Sequence, residues 1–273
     1  MHILLLLAVG PGVALMYYFW LRDRYEREPR DKIVKVMVWG ALSVISAVIL
    51  EMLGENLFPS PNEELPAHFP LLLHCFVVIA GAEELGKFVA VYFTIYRDPE
   101  FDEPYDGVVY CVAASLGFAI VENVLYVFKG GIGIGIMRAL LSVPAHALFG
   151  VGMGYFVGRA RFATSKGAEA ALLGVGFLTA VGMHGAYDYV LFSGRPLIIL
   201  TVFPMMVAFW VVGLWLVRRH VAISPFKDRP PGLSSPAEPL PPCPSGQLCP
   251  RCAAPSVEGA RFCGHCGSSL SPG

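Results

Sequence analysis

Apolar residues follow one another in long unbroken stretches along this chain, and the polar residues are gathered between them. An apolar run of about 18 residues or more has the length of a membrane-crossing helix. The runs are Ile3–Leu21, Ile33–Leu53, Pro70–Tyr96, Val108–Phe128, Ile132–Gly158, Ala168–Phe192 and Leu197–Val217. They are continuous rather than alternating, which argues against a transmembrane β-barrel. The third and fifth are long enough to tilt or to extend into the interface. The pattern predicts an all-α polytopic membrane protein of about seven transmembrane helices.

Composition agrees. The chain is 55% hydrophobic and 15% charged, against about 25% charged in soluble domains. Its net charge is −1, and no basic stripe exists outside the helix ends, so no nucleic-acid partner is expected. The first run lacks a basic leader. Arg22, Arg24, Arg27, Arg30 and Lys32 come after it instead, so it reads as a retained helix rather than a cleaved signal. Positive charge also gathers at Arg159, Arg161 and Lys166 and at Arg218 and Arg219. The alternate loops are poor in it: 54–69 has none, 129–131 has Lys129 and 193–196 has Arg195. The positive-inside rule then puts this protein in the cell membrane with its N-terminus outside and its C-terminal tail in the cytoplasm.

The chain divides into a membrane domain (1–220), a Pro/Ser-rich linker (221–242) that cannot build a core, and a Cys- and Gly-rich tail (243–273). In the tail, Cys249-Pro-Arg-Cys252 is followed by Cys263-Gly-His-Cys266. Two CxxC knuckles aim four thiolates at one ion, the pattern of a zinc ribbon with a closed structural zinc site. So short a segment buries little, and metal binding supplies roughly 10–16 kcal/mol in comparable peptides. Disulfides are not expected in a cytoplasmic tail. Cys243 has no evident partner, His265 reads as a bystander, and Cys75 and Cys111 read as packing residues. The ribbon is expected to dock a cytoplasmic protein partner or to regulate the membrane domain. Gly150, Gly154 and Gly158, four apart, read as a surface for close helix packing.

A few residues do not belong in lipid. They are Glu83, Glu84 and Lys87 in the third run, Glu122 and Asn123 in the fourth, His146 in the fifth, and His184 and Asp188 in the sixth. A charge at the bilayer centre costs on the order of 2.5–3.5 kcal/mol, so the set is expected to converge and neutralise itself in one pocket. Counted along their helices at about 1.5 Å per residue, Glu83, Glu122, His146 and His184 fall near the middle or outer half of the membrane. Glu83 and Lys87 share a helix face, as do His184 and Asp188. Asp188 is placed to fix the tautomer of His184, and Phe118 to wall the site. Two chemistries suit such a pocket. One is metal-assisted hydrolysis, with Glu and His as ligands of zinc or another divalent ion and a spare Glu as base. The other needs no metal: a buried Glu activates water, while His residues orient it and stabilise the oxyanion. A proton- or metal-coupled transporter and a non-catalytic membrane sensor or scaffold are the alternatives.

At these residues the chain resembles the PrsW family of intramembrane proteases, within the wider group of CAAX-prenyl-endopeptidase-like membrane proteins. Glu83-Glu84-Leu-Gly-Lys87 is similar to its EExxK motif and Phe118-Ala-Ile-Val-Glu122-Asn123 to its FxxxEN motif. His146 stands where the family has a His in a further helix, and His184-Gly-Ala-Tyr-Asp188 is similar to its HxxxD motif. The resemblance covers most of residues 30–220 and implies a multi-pass protease that cuts membrane-anchored proteins, as in anti-sigma factor processing. It also implies that Glu83 or Glu84 activates water while Glu122, His146 and His184 bind metal or orient water. Lys87, Asn123 and Asp188 then support them. The C-terminal ribbon departs from a minimal family member.

Overall fold

The computed structural model describes residues 2–60 and 66–227. Among them there are helices and turns and no strand. The helices are α1 His2–Arg22, α2 Arg30–Gly54, α3 His68–Leu73, α4 Ala80–Thr94, α5 Pro104–Leu140, α6 Ser142–Arg161, α7 Lys166–Phe192, α8 Pro196–Ile199 and α9 Val202–Ala222. A π-helical turn, His74–Ile79, joins α3 to α4. The four cysteines of the expected ribbon, and the linker before them, lie outside the described residues.

Six helical stretches are long and apolar enough to cross a membrane. One of them, Pro104–Arg161, has 58 residues and would be about 87 Å long if straight, nearly three times the hydrocarbon core of a bilayer. It does not run straight. Gly131 has φ 75° and ψ −164°, a conformation closed to residues with a Cβ, and there the chain reverses. The two arms then lie antiparallel: a Cβ on Gly107 would meet Gly158, and one on Gly150 would meet Cys111. The described residues thus make seven passes, and the sequence-predicted break at 129–131 is where the chain turns. The fifth run is itself split at Leu141, between α5 and α6.

α5 is the axis of the bundle. Every residue from Tyr105 to Ala119 is buried, because α1, α2, α4 and α6 all pack against it. Close approach requires small residues. A Cβ on Gly117 would lie 2.0 Å from the Met37 carbonyl oxygen of α2, and one on Gly158 would lie 2.0 Å from that of Pro104. Gly150, Gly154 and Gly158 all face α5 this way, as their spacing predicts. Large apolar side chains such as Leu6, Leu53, Phe93 and Leu178 point outward, which is the arrangement expected where lipid is the solvent. α5 starts at a reciprocal capping box between Glu103 and Asp106, with Pro104 in its first turn. Ser165 caps α7 by accepting the Ala168 amide at 3.2 Å.

Candidate active site

Three helices carry the centre of the site. From α4, Lys87 Nζ donates to Glu83 Oε2 at 3.0 Å and to Glu84 Oε1 at 2.7 Å. From α6, His146 places Nδ1 3.2 Å from the same ammonium. From α7, His184 Nδ1 lies 2.8 Å from Glu84 Oε1 and 3.8 Å from Glu83 Oε2. The i,i+4 spacing puts Glu83 beside Lys87, as the sequence predicts, and the i,i+3 spacing brings Glu84 to it as well. The π-helical turn immediately before α4 widens the helix there, a feature common at functional sites. It sets the phase with which Glu83 and Glu84 enter the bundle.

The hydrogen bonds fix the state of one imidazole. Lys87 has only protons to offer, so His146 Nδ1 accepts and its Nε2–H donates, to Glu122 Oε2 at 3.0 Å. His184 is flanked by carboxylates at both nitrogens. Its Nε2 lies 3.3 Å from Asp188 Oδ2, near enough for the expected orienting role but without the alignment of a hydrogen bond. The rings close the site: His184 stacks on Phe149 at 4.9 Å and meets His146 edge-on at 5.2 Å. Phe118 lies under Lys87 Nζ at 4.2 Å, the wall its position suggests and a cation–π contact besides.

Glu83, Glu84, Lys87, His146, His184 and Asp188 are thus all buried together. Glu122 stands one step out, beyond His146, with its side chain 19% exposed. Asn123 faces elsewhere: it donates to the Leu7 and Ala8 carbonyls of α1 at 3.0 and 2.9 Å. The reading from sequence passed over Arg138. Its Nη2 lies 2.9 Å from Glu122 Oε2, and its Nε donates to Asn123 Oδ1 at 2.9 Å. The signal was an arginine inside the fifth apolar run, where a charge needs a partner. Glu51 of α2 was also passed over; it is close enough to act on the charges of Glu83 and Glu122.

Donor atoms of Glu83, Glu84, His146 and His184 all lie within 4.8 Å of one another. Comparison with known proteins now bears on what such a centre does. Residues 28–215 match the model of the PrsW family intramembrane metalloprotease. The chain belongs to the PrsW family. It is 41% identical over 187 residues to the Protease PrsW of Geobacillus kaustophilus, covering 68% of this chain and 78% of that one. It is 34% identical to that of Oceanobacillus iheyensis over 77% and 93% of the two chains, and 32% identical to that of Bacillus subtilis over 79% and 94%. No solved structure matches it. The matched stretch takes in every polar residue of the centre. A multi-pass membrane protein of a protease family, and hence a hydrolase working in a bilayer, is what these findings establish.

The donor set fits a divalent metal of the kind the word metalloprotease in the family description implies. Two carboxylates and two imidazoles are ordinary ligands of zinc, and Glu84 Oε2 is fully buried with no hydrogen bond, an oxygen still free to coordinate.

Proposed function

We propose that this chain is an intramembrane endopeptidase that cleaves membrane-anchored protein substrates with water activated by the Glu/His centre. One observation carries the reading: four donors from three different passes converge on one point around a buried ammonium. In lipid, so much desolvated charge is costly unless it does something that apolar packing cannot. Intramembrane placement also selects substrates that already lie in the bilayer, single-pass proteins such as a membrane-anchored anti-sigma factor among them.

The two α4 carboxylates take different roles. Glu84 is wholly buried and held by Lys87 and His184; Glu83 holds one hydrogen bond, and its side chain is 9% exposed. Glu83 is therefore the group with a lone pair and access to spare, and we assign it as the base that takes the proton of the attacking water. The same carboxyl then passes that proton to the leaving amine. Lys87 and His184 bring positive charge to the oxyanion formed at the scissile carbonyl. His146, with one ring nitrogen on Lys87 and the other on Glu122, holds the Lys87 ammonium in place. Glu83, Glu84, His146 and His184 would hold a divalent ion, which when bound supplies Lewis acidity and a more acidic water. A metal-free glutamate mechanism is favoured by a separate observation: Lys87 Nζ already contacts Glu83, Glu84 and His146, three of these four donors. The basic loops support a topology with the N-terminus outside and the tail inside, which sets the cut in the middle or outer half of the membrane.

Cleavage of a panel of single-pass substrates in proteoliposomes tests this. Glu83→Gln is expected to lower the rate by about 10²–10⁴, the usual contribution of a general base, and His184→Ala to abolish it. Inhibition by a chelator, reversed by zinc, selects the metal form; full activity in chelator selects the glutamate form. Cleavage by Glu83→Gln at the wild-type rate would refute the assignment.

A further inference from the structure

A second cluster of acids lies at the other end of α5. Asp106 stands sixteen residues before Glu122 on that helix, about 24 Å away along its axis, so the cluster is separate from the Glu/His centre. Asp23 follows α1, Glu28 precedes α2, and Glu103 and Asp106 cap α5. None of the four is more than 2% exposed. Asp106 Oδ2 accepts the amides of Asp102 and Glu103 at 2.8 and 2.7 Å, and Glu28 Oε2 accepts the Tyr110 hydroxyl. Their other oxygens, Asp106 Oδ1 and Glu28 Oε1, are buried without a hydrogen bond, and so is Glu103 Oε2. Asp23 has no hydrogen bond at either oxygen.

Carboxylate oxygens of Asp23, Glu103 and Asp106 lie within 4.8 Å of each other. Asp23 reaches hydrogen-bonding range of Glu103, and Glu28 of Asp106, yet two ionised carboxylates have no proton to share. The charged neighbours acting on Asp23 are Glu103, Glu28 and Glu26, all negative, and beside them the backbone amide of Glu28 favours its ionised form. Among the described residues no lysine or arginine forms an ion pair with any of the four. Ionised, these buried carboxylates repel one another, and a bound cation would offset that repulsion. An all-oxygen donor set with no nitrogen or sulfur suits a hard cation such as Ca²⁺, Mg²⁺ or Mn²⁺.

We propose that Asp23, Glu103 and Asp106, with Glu28 beside them, bind one divalent cation of the oxygen-preferring class. The ion would tie the α1–α2 loop to the start of α5, the axis of the bundle. Ser224, just past α9, also lies beside Glu103, so the tie extends to the end of the membrane domain. Its role is to hold the rim of the bundle rather than to take part in hydrolysis.

The test uses the full chain in a neutral detergent, stripped with chelator and dialysed. Equilibrium dialysis and thermal melting are then followed with Ca²⁺, Mg²⁺ and Mn²⁺ in turn. Wild type is expected to bind one ion more per chain than Asp23→Asn and to melt several degrees higher when saturated. Glu84→Gln should keep that shift; Asp23→Asn and Glu103→Gln should lose it and bind at least tenfold more weakly. In cation-free buffer Asp23→Asn should melt no lower than wild type, because it relieves repulsion. Should these variants not fold, Tb³⁺ bound to wild type gives a second reading, since Tyr105 and Tyr110 lie close enough to sensitise its emission and Ca²⁺ should displace it. Equal ion counts in wild type and Asp23→Asn, or no sensitised Tb³⁺ emission from wild type, would overturn the proposal and assign the free oxygens to shared protons.

Discussion

At the scale of single residues, the site is governed by where protons can come from. Lys87 donates to three partners and accepts from none, and this fixes the orientation of both α4 carboxylates and the tautomer of His146. Lys87→Met keeps the length and apolar stem but removes every donor. Two buried carboxylates are then left facing each other, and the loss of folded protein is expected to be large, about 3–5 kcal/mol for a broken buried pair. Chemical denaturation in micelles would measure it, and Lys87→Arg should recover part. Arg138 acts one step further out. Its planar fork spans Glu122 and Asn123 together, which a lysine's single ammonium cannot do. Arg138→Lys is therefore expected to lower kcat about tenfold with KM little changed, and Arg138→Met to lower it further. An equal rate in wild type and Arg138→Met would remove Arg138 from the positioning role.

At the scale of helices, packing is set by the absence of side chains. α5 touches α2 and α6 backbone to backbone at Gly117 and Gly158. Gly117→Val would drive a branched side chain into the Met37 carbonyl; overpacking of this kind costs about 1–3 kcal/mol and here meets backbone, which yields little. Gly174, in α7, has open space where its Cβ would be. Gly174→Ala is expected to stabilise by about 0.5–1 kcal/mol through helix propensity alone. Melting temperatures of the two variants in the same detergent should move in opposite directions. The spacing of Gly150, Gly154 and Gly158 showed in the sequence that one face was smooth. It did not show which helix lay against it, because small residues only permit contact and the partner supplies it.

At the scale of the whole molecule, topology and the tail become testable. If the basic loops face the cytoplasm, a cysteine placed in loop 193–196 should react with an impermeant maleimide in whole cells, and one placed at Lys166 should not. Reaction at Lys166 alone would invert the molecule. The tail is expected to carry about one zinc per chain, lost in a Cys249→Ser, Cys252→Ser double variant. Metal analysis on the purified full chain reads it, and no difference between the two proteins would remove the ribbon.

Hydrophobicity is a local property, and it determined much of this protein directly. Continuous apolar runs gave the membrane passes and the reversal at Gly130–Gly131. A charge in such a run announces a partner, so Glu83, Glu84, Lys87, Glu122, His146, His184 and Asp188 were legible as one constellation before any fold was known. Tertiary structure decided how they pair. It set Asn123 and Arg138 to work beside Glu122 rather than at the centre, gave Glu84 two donors and Glu83 one, and used a π-helical turn to phase α4. It also gathered Asp23, Glu28, Glu103 and Asp106, which are ordinary loop acids in the sequence, into one buried cluster. A residue's cost in lipid or water depends on its type and can be read from the chain; its partner depends on distances across helices, which only packing fixes.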